Sequence, residues 1–334
     1  MKIIFKFPLR RHVSKVKKTL VSALLLALAL SLICTGCGKE PTVKDDTFTI
    51  ITSSFPSFDF ARNIAGDRAE VKMLLSPGQE AHGYEPSPKD IIAIRNCDLF
   101  IYNGGENEVW VEKLIEDIPG LSAMKMTDCV PLLREEISEG MQTHDHEEDE
   151  ESHDGDSEFE EHVWLSPKNA LLICEAIKNR LCDADPEGTE KYLENFASYS
   201  EELKKLDGLF TEVVRTSPGK TIVVGDRFPF LYLVREYGLN YYAAFPGCAS
   251  DTEPGAKTVA FLIEKVRQEN IPIVFFIEFS NGKTARAIAS ESGAETALLH
   301  SCHNVTKDEF ESGASYLTLM RANAEALRKA LERK

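Results

Sequence analysis

The sequence predicts an α/β protein of two lobes, each built on a mainly parallel four-stranded sheet, with one long rigid helix joining them. Three observations carry this. Apolar β-branched runs alternate with helical patterns, the runs fall into two similar sets, and the helical stretch between the sets is too long to belong to one small lobe.

The first set of runs is TFTIITS at 47–53, EVKMLLS at 70–76, DLFIYNG at 98–104 and a weaker MKMTD at 124–128. The second is TIVVG at 221–225, LNYYAAF at 239–245, IPIVFFI at 271–277 and AETALL at 294–299. Near-continuous apolar strands separated by helices imply sheets covered on both faces, so each lobe reads as Rossmann-like. Between the sets, Tyr192, Phe196, Tyr199, Leu203, Leu206, Phe210 and Val213 recur at three-and-four spacing. Asp185-Pro186 opens this stretch and Ser217-Pro218-Gly219 closes it, giving a connecting helix over 185–217 about 45 Å long. The lobes then occupy 47–184 and 218–334. Open α/β sheets bind ligands beyond the carboxyl ends of their strands, so two such lobes are expected to share a site in the cleft between them.

Ahead of the first lobe stands a targeting segment. Residues 1–18 hold seven Lys or Arg and no acid, and 20–33 are apolar apart from two serines. That stretch is short for a permanent span and suits an export signal over 1–36. Thr35-Gly36-Cys37 resembles a bacterial lipobox, which makes Cys37 the lipidated first residue of the mature chain and 37–46 a polar tether. The expected location is the extracytoplasmic face of the cell membrane, through a lipid anchor on Cys37.

The 334 residues are 43% hydrophobic and 28% charged, a globular composition that rules out collagen, coiled coil and wholesale disorder. A formal net charge of −16 repels phosphate backbones, so no nucleic acid is expected and a cation is the natural ligand. The histidines are concentrated. Of the eight, His12 lies in the signal, and His144, His146 and His153 lie in a stretch from Glu139 to Glu161 with twelve acids and no Lys or Arg. Such a stretch cannot bury a core; it reads as a loop that collects metal weakly, or as a plain solvated linker. His82, in SPGQEAHGYEPSPKD, and His162, in EEHVWLSPKNA, each precede a helix start and so face the cleft.

These two runs resemble the PGxxxHxYEPxP and HxWLxP motifs of the zinc and manganese solute-binding proteins of bacterial ABC transporters. The resemblance extends from about residue 48 to the C-terminus and includes the lobe–helix–lobe order and the acidic His loop. It implies that His82 and His162 bind a divalent metal, and that the partner is an ABC permease served by a monomeric carrier. The second lobe departs from the pattern. Arg227 stands where relatives usually carry a His or Glu ligand, and Gly282 stands four residues beyond Glu278, where the manganese branch has Asp. A guanidinium cannot ligate a cation.

The replacement expected here is LLHSCHN at 299–304, where His300 and His303 aim two imidazoles at one ion, with Glu278 as an anionic ligand or as a partner to Arg227. The alternatives for this run are a helix cap or a Cys248–Cys302 disulfide. Imidazoles with at most one carboxylate favour Zn2+ over Mn2+. No HExxH, GxSxG or GxxxxGK pattern is present, so no enzyme is expected. The competing classes are a surface adhesin or signalling module with a structural metal, and a zinc-dependent hydrolase with Glu278 or Asp226 as base.

Overall fold

The computed structural model describes residues 47–81, 83–142, 159–247 and 253–332. The export signal, Cys37 with its tether, His82, the three loop histidines and Cys248 lie outside the described residues.

Strands β1 (Phe48–Thr52), β2 (Ala69–Met73), β3 (Leu99–Tyr102) and β4 (Ala123–Lys125) form one parallel sheet in the order β2-β1-β3-β4. Strands β5 (Thr221–Phe228), β6 (Asn240–Pro246), β7 (Ile273–Phe276) and β8 (Glu295–Leu298) repeat that plan as β6-β5-β7-β8. Burial follows position in the sheet. Inner strand β3 is buried at every residue, whereas edge strand β2 alternates between half-buried and exposed. In both sheets the chain order reverses beside the first strand, so the crevice lies where β1 and β3, and β5 and β7, diverge at their carboxyl ends.

Helices α1 (Phe55–Ala65), α2 (Pro88–Asn96) and α3 (Val109–Asp117) follow the first three strands. The motif prolines sit where a missing N–H costs nothing. Ser87 caps α2 with Pro88 in its first turn and Asp90 completing a capping box, and Ser166 caps α4 (Pro167–Ala184) ahead of Pro167. The long helix, α5, runs Thr189–Thr216, with Pro186–Gly188 as a separate 3-10 turn before it. At 28 residues it is about 42 Å long. In the second half come α6 (Leu231–Tyr237), α7 (Ala256–Glu269), α8 (Lys283–Ser292), α9 (Lys307–Glu311) and α10 (Tyr316–Leu331).

Helix α5 packs on α1 and α4 from the first half and on α10 from the second. One hydrophobic cluster therefore runs from Ile50 and Leu99 through Trp164, Leu203 and Phe210 to Phe275 and Leu327. Two expected boundaries move. β4 ends at Lys125 because Thr127–Cys129 turns as a 3-10 helix, and β5 continues past Gly225, through an irregularity in its pairing with β6, to Phe228. The extension places Arg227 at the crevice. Among the described residues no helix is long and apolar enough to cross a membrane.

Candidate metal centre

The crevice floor on the first-half side is the tripeptide Glu160-Glu161-His162, which enters the 3-10 turn Val163–Leu165 and then α4. All three residues are buried. Glu160 accepts the His162 backbone N–H at 3.0 Å and also contacts the ring Nδ1. A carboxylate on Nδ1 draws the ring proton there and leaves Nε2 as the nitrogen whose lone pair can ligate a metal. Burial works against charge on His162, but the attraction of Glu160 and its hydrogen bond outweigh it and hold the imidazole above its ordinary pKa.

Both carboxylates are seated by glycines. A Cβ on Gly247 would lie 2.7 Å from Glu160 Oε2, and one on Gly105 would collide with the Glu161 carboxylate. Gly105 also has φ +122°, a conformation that side chains resist. Glu161 Oε1 accepts from Asn107 Nδ2 at 2.5 Å, and its carbonyl accepts from Asn103 Nδ2 at 3.0 Å. Burial pushes the Glu161 carboxyl pKa up, with His162 pulling the other way.

From the second half, the turn after β8 supplies His303. Its ring stands edge-on to His162, centroids 5.3 Å apart, and to Trp164 at 5.0 Å. Trp164 Nε1 in turn donates to the Ser301 carbonyl at 2.8 Å, tying the two sides together. Donor atoms of Glu161, His162 and His303 all lie within 4.8 Å of one another, the one such trio among the described residues. Beside them is a cavity of about 20 Å³ walled by Glu80, Ala81, His162, Arg227, Glu278, Ser301 and His303. That is room for one ion or one water. A much larger open hollow of about 870 Å³, around Ile271–Ile273 and Glu295, lies at the opposite strand ends and gathers no such trio.

Sequence reasoning paired His300 with His303, and the structure separates them. Cys302, between them, takes a left-handed φ of 59°, and His303 joins the trio while His300 does not. His300 Nδ1 accepts the Cys302 N–H at 2.9 Å, and Asn323 clasps the His300 peptide at 2.8 Å on both its N–H and its carbonyl. Glu278 lines the cavity, but its carboxylate accepts the Ser301 N–H at 2.7 Å and contacts the Ser301 hydroxyl. Arg227 pairs across the crevice with Glu80, at 3.2 Å, while Asp226 accepts the Arg227 backbone N–H.

The suspected Cys248–Cys302 bridge is corrected. Cys302 is a free thiol, fully buried in the core cluster with Sγ 3.8 Å from the His300 carbonyl. Cys97, Cys129, Cys174 and Cys182 are free as well. Glu161 is the residue that sequence reasoning missed; in EEH it reads as the end of the acidic run.

Residues 50–330 match the family described as zinc-uptake complex component A, periplasmic, and the chain belongs to that family. It is 33% identical over 313 residues to the zinc-binding lipoprotein AdcA of Streptococcus pneumoniae, covering 93% of this chain but 61% of that protein. With the high-affinity zinc uptake system protein ZnuA of Bacillus subtilis it shares 32% over 315 residues, covering 93% and 97%. The crystal structure of the Zn(II)-bound ZnuA-like domain of S. pneumoniae AdcA superposes with a TM-score of 0.71 at 30% identity, covering 86% of this chain and all of that domain. The metal-dependent lipoprotein YcdH of B. subtilis gives 0.72 at 28%, covering 85% and 99%. The chain thus spans about three fifths of the length of the AdcA relatives.

Proposed function

We propose that this chain is an extracytoplasmic solute-binding lipoprotein, anchored through Cys37, that captures zinc in preference to manganese and hands it to an ABC permease as a monomer. The observation that carries this reading is the trio Glu161, His162 and His303, whose donor atoms lie within 4.8 Å of one another, with the two histidines also lining a cavity of about 20 Å³. Two imidazoles and a carboxylate suit a small tetrahedral ion better than a hard ion that wants many oxygens. His82, from the motif of the resembling family, is the proposed fourth ligand.

The surrounding charges have a role in this reading. Arg227 in the cavity wall would repel a dication, and Glu80 beside it offsets that field. Glu278 and His300 support the turn rather than donate to the ion. A zinc hydrolase would need an open coordination position with room for a substrate, and a cavity of about 20 Å³ offers none. The AdcA and ZnuA names support zinc as cargo.

Zinc titration by calorimetry tests the assignment. His82→Ala, His162→Ala, His303→Ala and Glu161→Gln should each weaken binding far more than deletion of 143–158. Loss of high-affinity binding on the deletion, with the point variants unaffected, would place the ion in the acidic loop instead.

A further inference from the structure

The turn that presents His303 also holds the opposite wall of the cavity. Asn304, buried to 1% exposure, uses both hydrogens of its side-chain amide on the loop after β2: Nδ2 donates to the Ser76 carbonyl at 2.8 Å and to the Gln79 carbonyl at 2.9 Å. Its Oδ1 accepts the Val305 N–H at 2.8 Å, and the Val305 carbonyl accepts the Gly78 N–H at 2.7 Å. The clasped loop carries Glu80 and Ala81, which wall the cavity, and Glu80 reaches Arg227. One buried amide therefore links the His303 turn of the second half to the wall supplied by the first.

We propose that Asn304 is a positioning residue that sets how long the ion stays bound, by fixing the 76–81 wall against the His303 turn. The proposal rests on the ion lying between Glu161, His162 and His303. The chemistry is specific to a primary amide. Two carbonyls converge on one nitrogen, so a carboxylate there would set acceptors against acceptors and push the loop away. With the wall released, water reaches the ion from the Glu80 side; Glu161, His162 and His303 keep their places, and His82, next in the sequence to Ala81, is the one proposed ligand that the release reaches. Escape should accelerate without a change in the ligand field that the trio supplies.

The test uses the full chain with Asn304→Asp, and with Asn304→Ser as a milder variant that keeps a donor. Three quantities are measured: zinc dissociation into excess chelator by stopped flow, the absorption spectrum of the Co2+-loaded protein, and hydrogen exchange of the Gly78 amide without metal. The expected result is zinc loss at least tenfold faster for Asn304→Asp and less so for Asn304→Ser, faster Gly78 exchange, and, in a His82→Ala background, a Co2+ spectrum that Asn304→Asp leaves unaltered. Faster exchange with unchanged zinc loss would overturn the proposal, and so would a spectrum that Asn304→Asp alters in the His82→Ala background. If Glu161→Gln and His303→Ala leave the Co2+ spectrum intact, the metal-site reading has failed. If they change it while Asn304→Asp leaves zinc loss unchanged, only the Asn304 proposal has failed.

Discussion

His162 and His303 meet edge to face, yet different physics holds each of them. His162 is fixed by charge: Glu160 takes its Nδ1 and backbone N–H, and glycines at 105 and 247 make room for the two carboxylates. His303 is fixed by backbone shape. Its turn is built from the left-handed Cys302, the His300 ring accepting the Cys302 N–H, and the Asn323 amide clasping the His300 peptide. The contrast teaches that the first side depends on a charge set against the imidazole and on glycines that admit it, whereas the second depends on a turn held by hydrogen bonds with Glu278, His300 and Asn323.

The largest effects should come from removing the rings themselves. His162→Ala and His303→Ala are each expected to weaken zinc binding at least a hundredfold in calorimetric titration, since each deletes a direct donor. Equal losses support a shared ion. A large loss for one with none for the other would break the pairing.

Glu160→Gln comes next. The amide keeps the size of the side chain but loses the charge that orients the imidazole, and supporting partners of this kind are worth about tenfold to a hundredfold in affinity. His300 supplies the matching test on the other side. His300→Asn retains an acceptor near the Cys302 N–H and should stay within about threefold of wild type, while His300→Leu, lacking one, should lose about tenfold. If His300→Asn costs as much as His303→Ala, His300 is itself a ligand.

Gly105→Ala tests the close approach to Glu161. Its φ of +122° and the carboxylate in the path of a Cβ predict a stability loss of about 1–3 kcal/mol, read by denaturant unfolding of the metal-free protein. The smallest expected effect lies beneath the second-half turn. The His300 imidazole, 3.7 Å away, together with the Thr306 N–H and hydroxyl, lowers the Glu309 carboxyl to about 2. Because the folded value lies below the unfolded one, the ionised group adds stability above about pH 4.5 and loses it as pH falls toward 2. Glu309→Gln should therefore destabilise at neutral pH, by about 1 kcal/mol once solvent screening is allowed for, with the difference fading in acid.

The fold was legible because its signals are local and repeated. Apolar strands such as LFIY and IVFF, and the three-and-four pattern from Tyr192 to Val213, state their own structure. His162 was legible from its place before a proline-led helix start. Glu161 was hidden because charge alone does not separate the last buried acid of a run from the solvated ones before it. The structure does not bring His300 into the trio: its Nδ1 is taken up by the Cys302 N–H, and Cys302, between the two histidines, has a left-handed φ of 59°. A left-handed cysteine leaves no mark in a sequence pattern. That Arg227 pairs with an acid across the crevice was legible from its charge at a ligand position, but Glu80 as that acid and the Asn304 links were not, because they join segments 147 residues apart and more.

The most direct test of the central claim is a crystal structure of the zinc-loaded protein with anomalous data on both sides of the zinc edge. The arrangement predicts one strong peak in the crevice, about 2.0–2.2 Å from a ring nitrogen of His162, a ring nitrogen of His303 and a carboxylate oxygen of Glu161. A zinc peak held without His303 and Glu161, or lying outside this cavity, would contradict it.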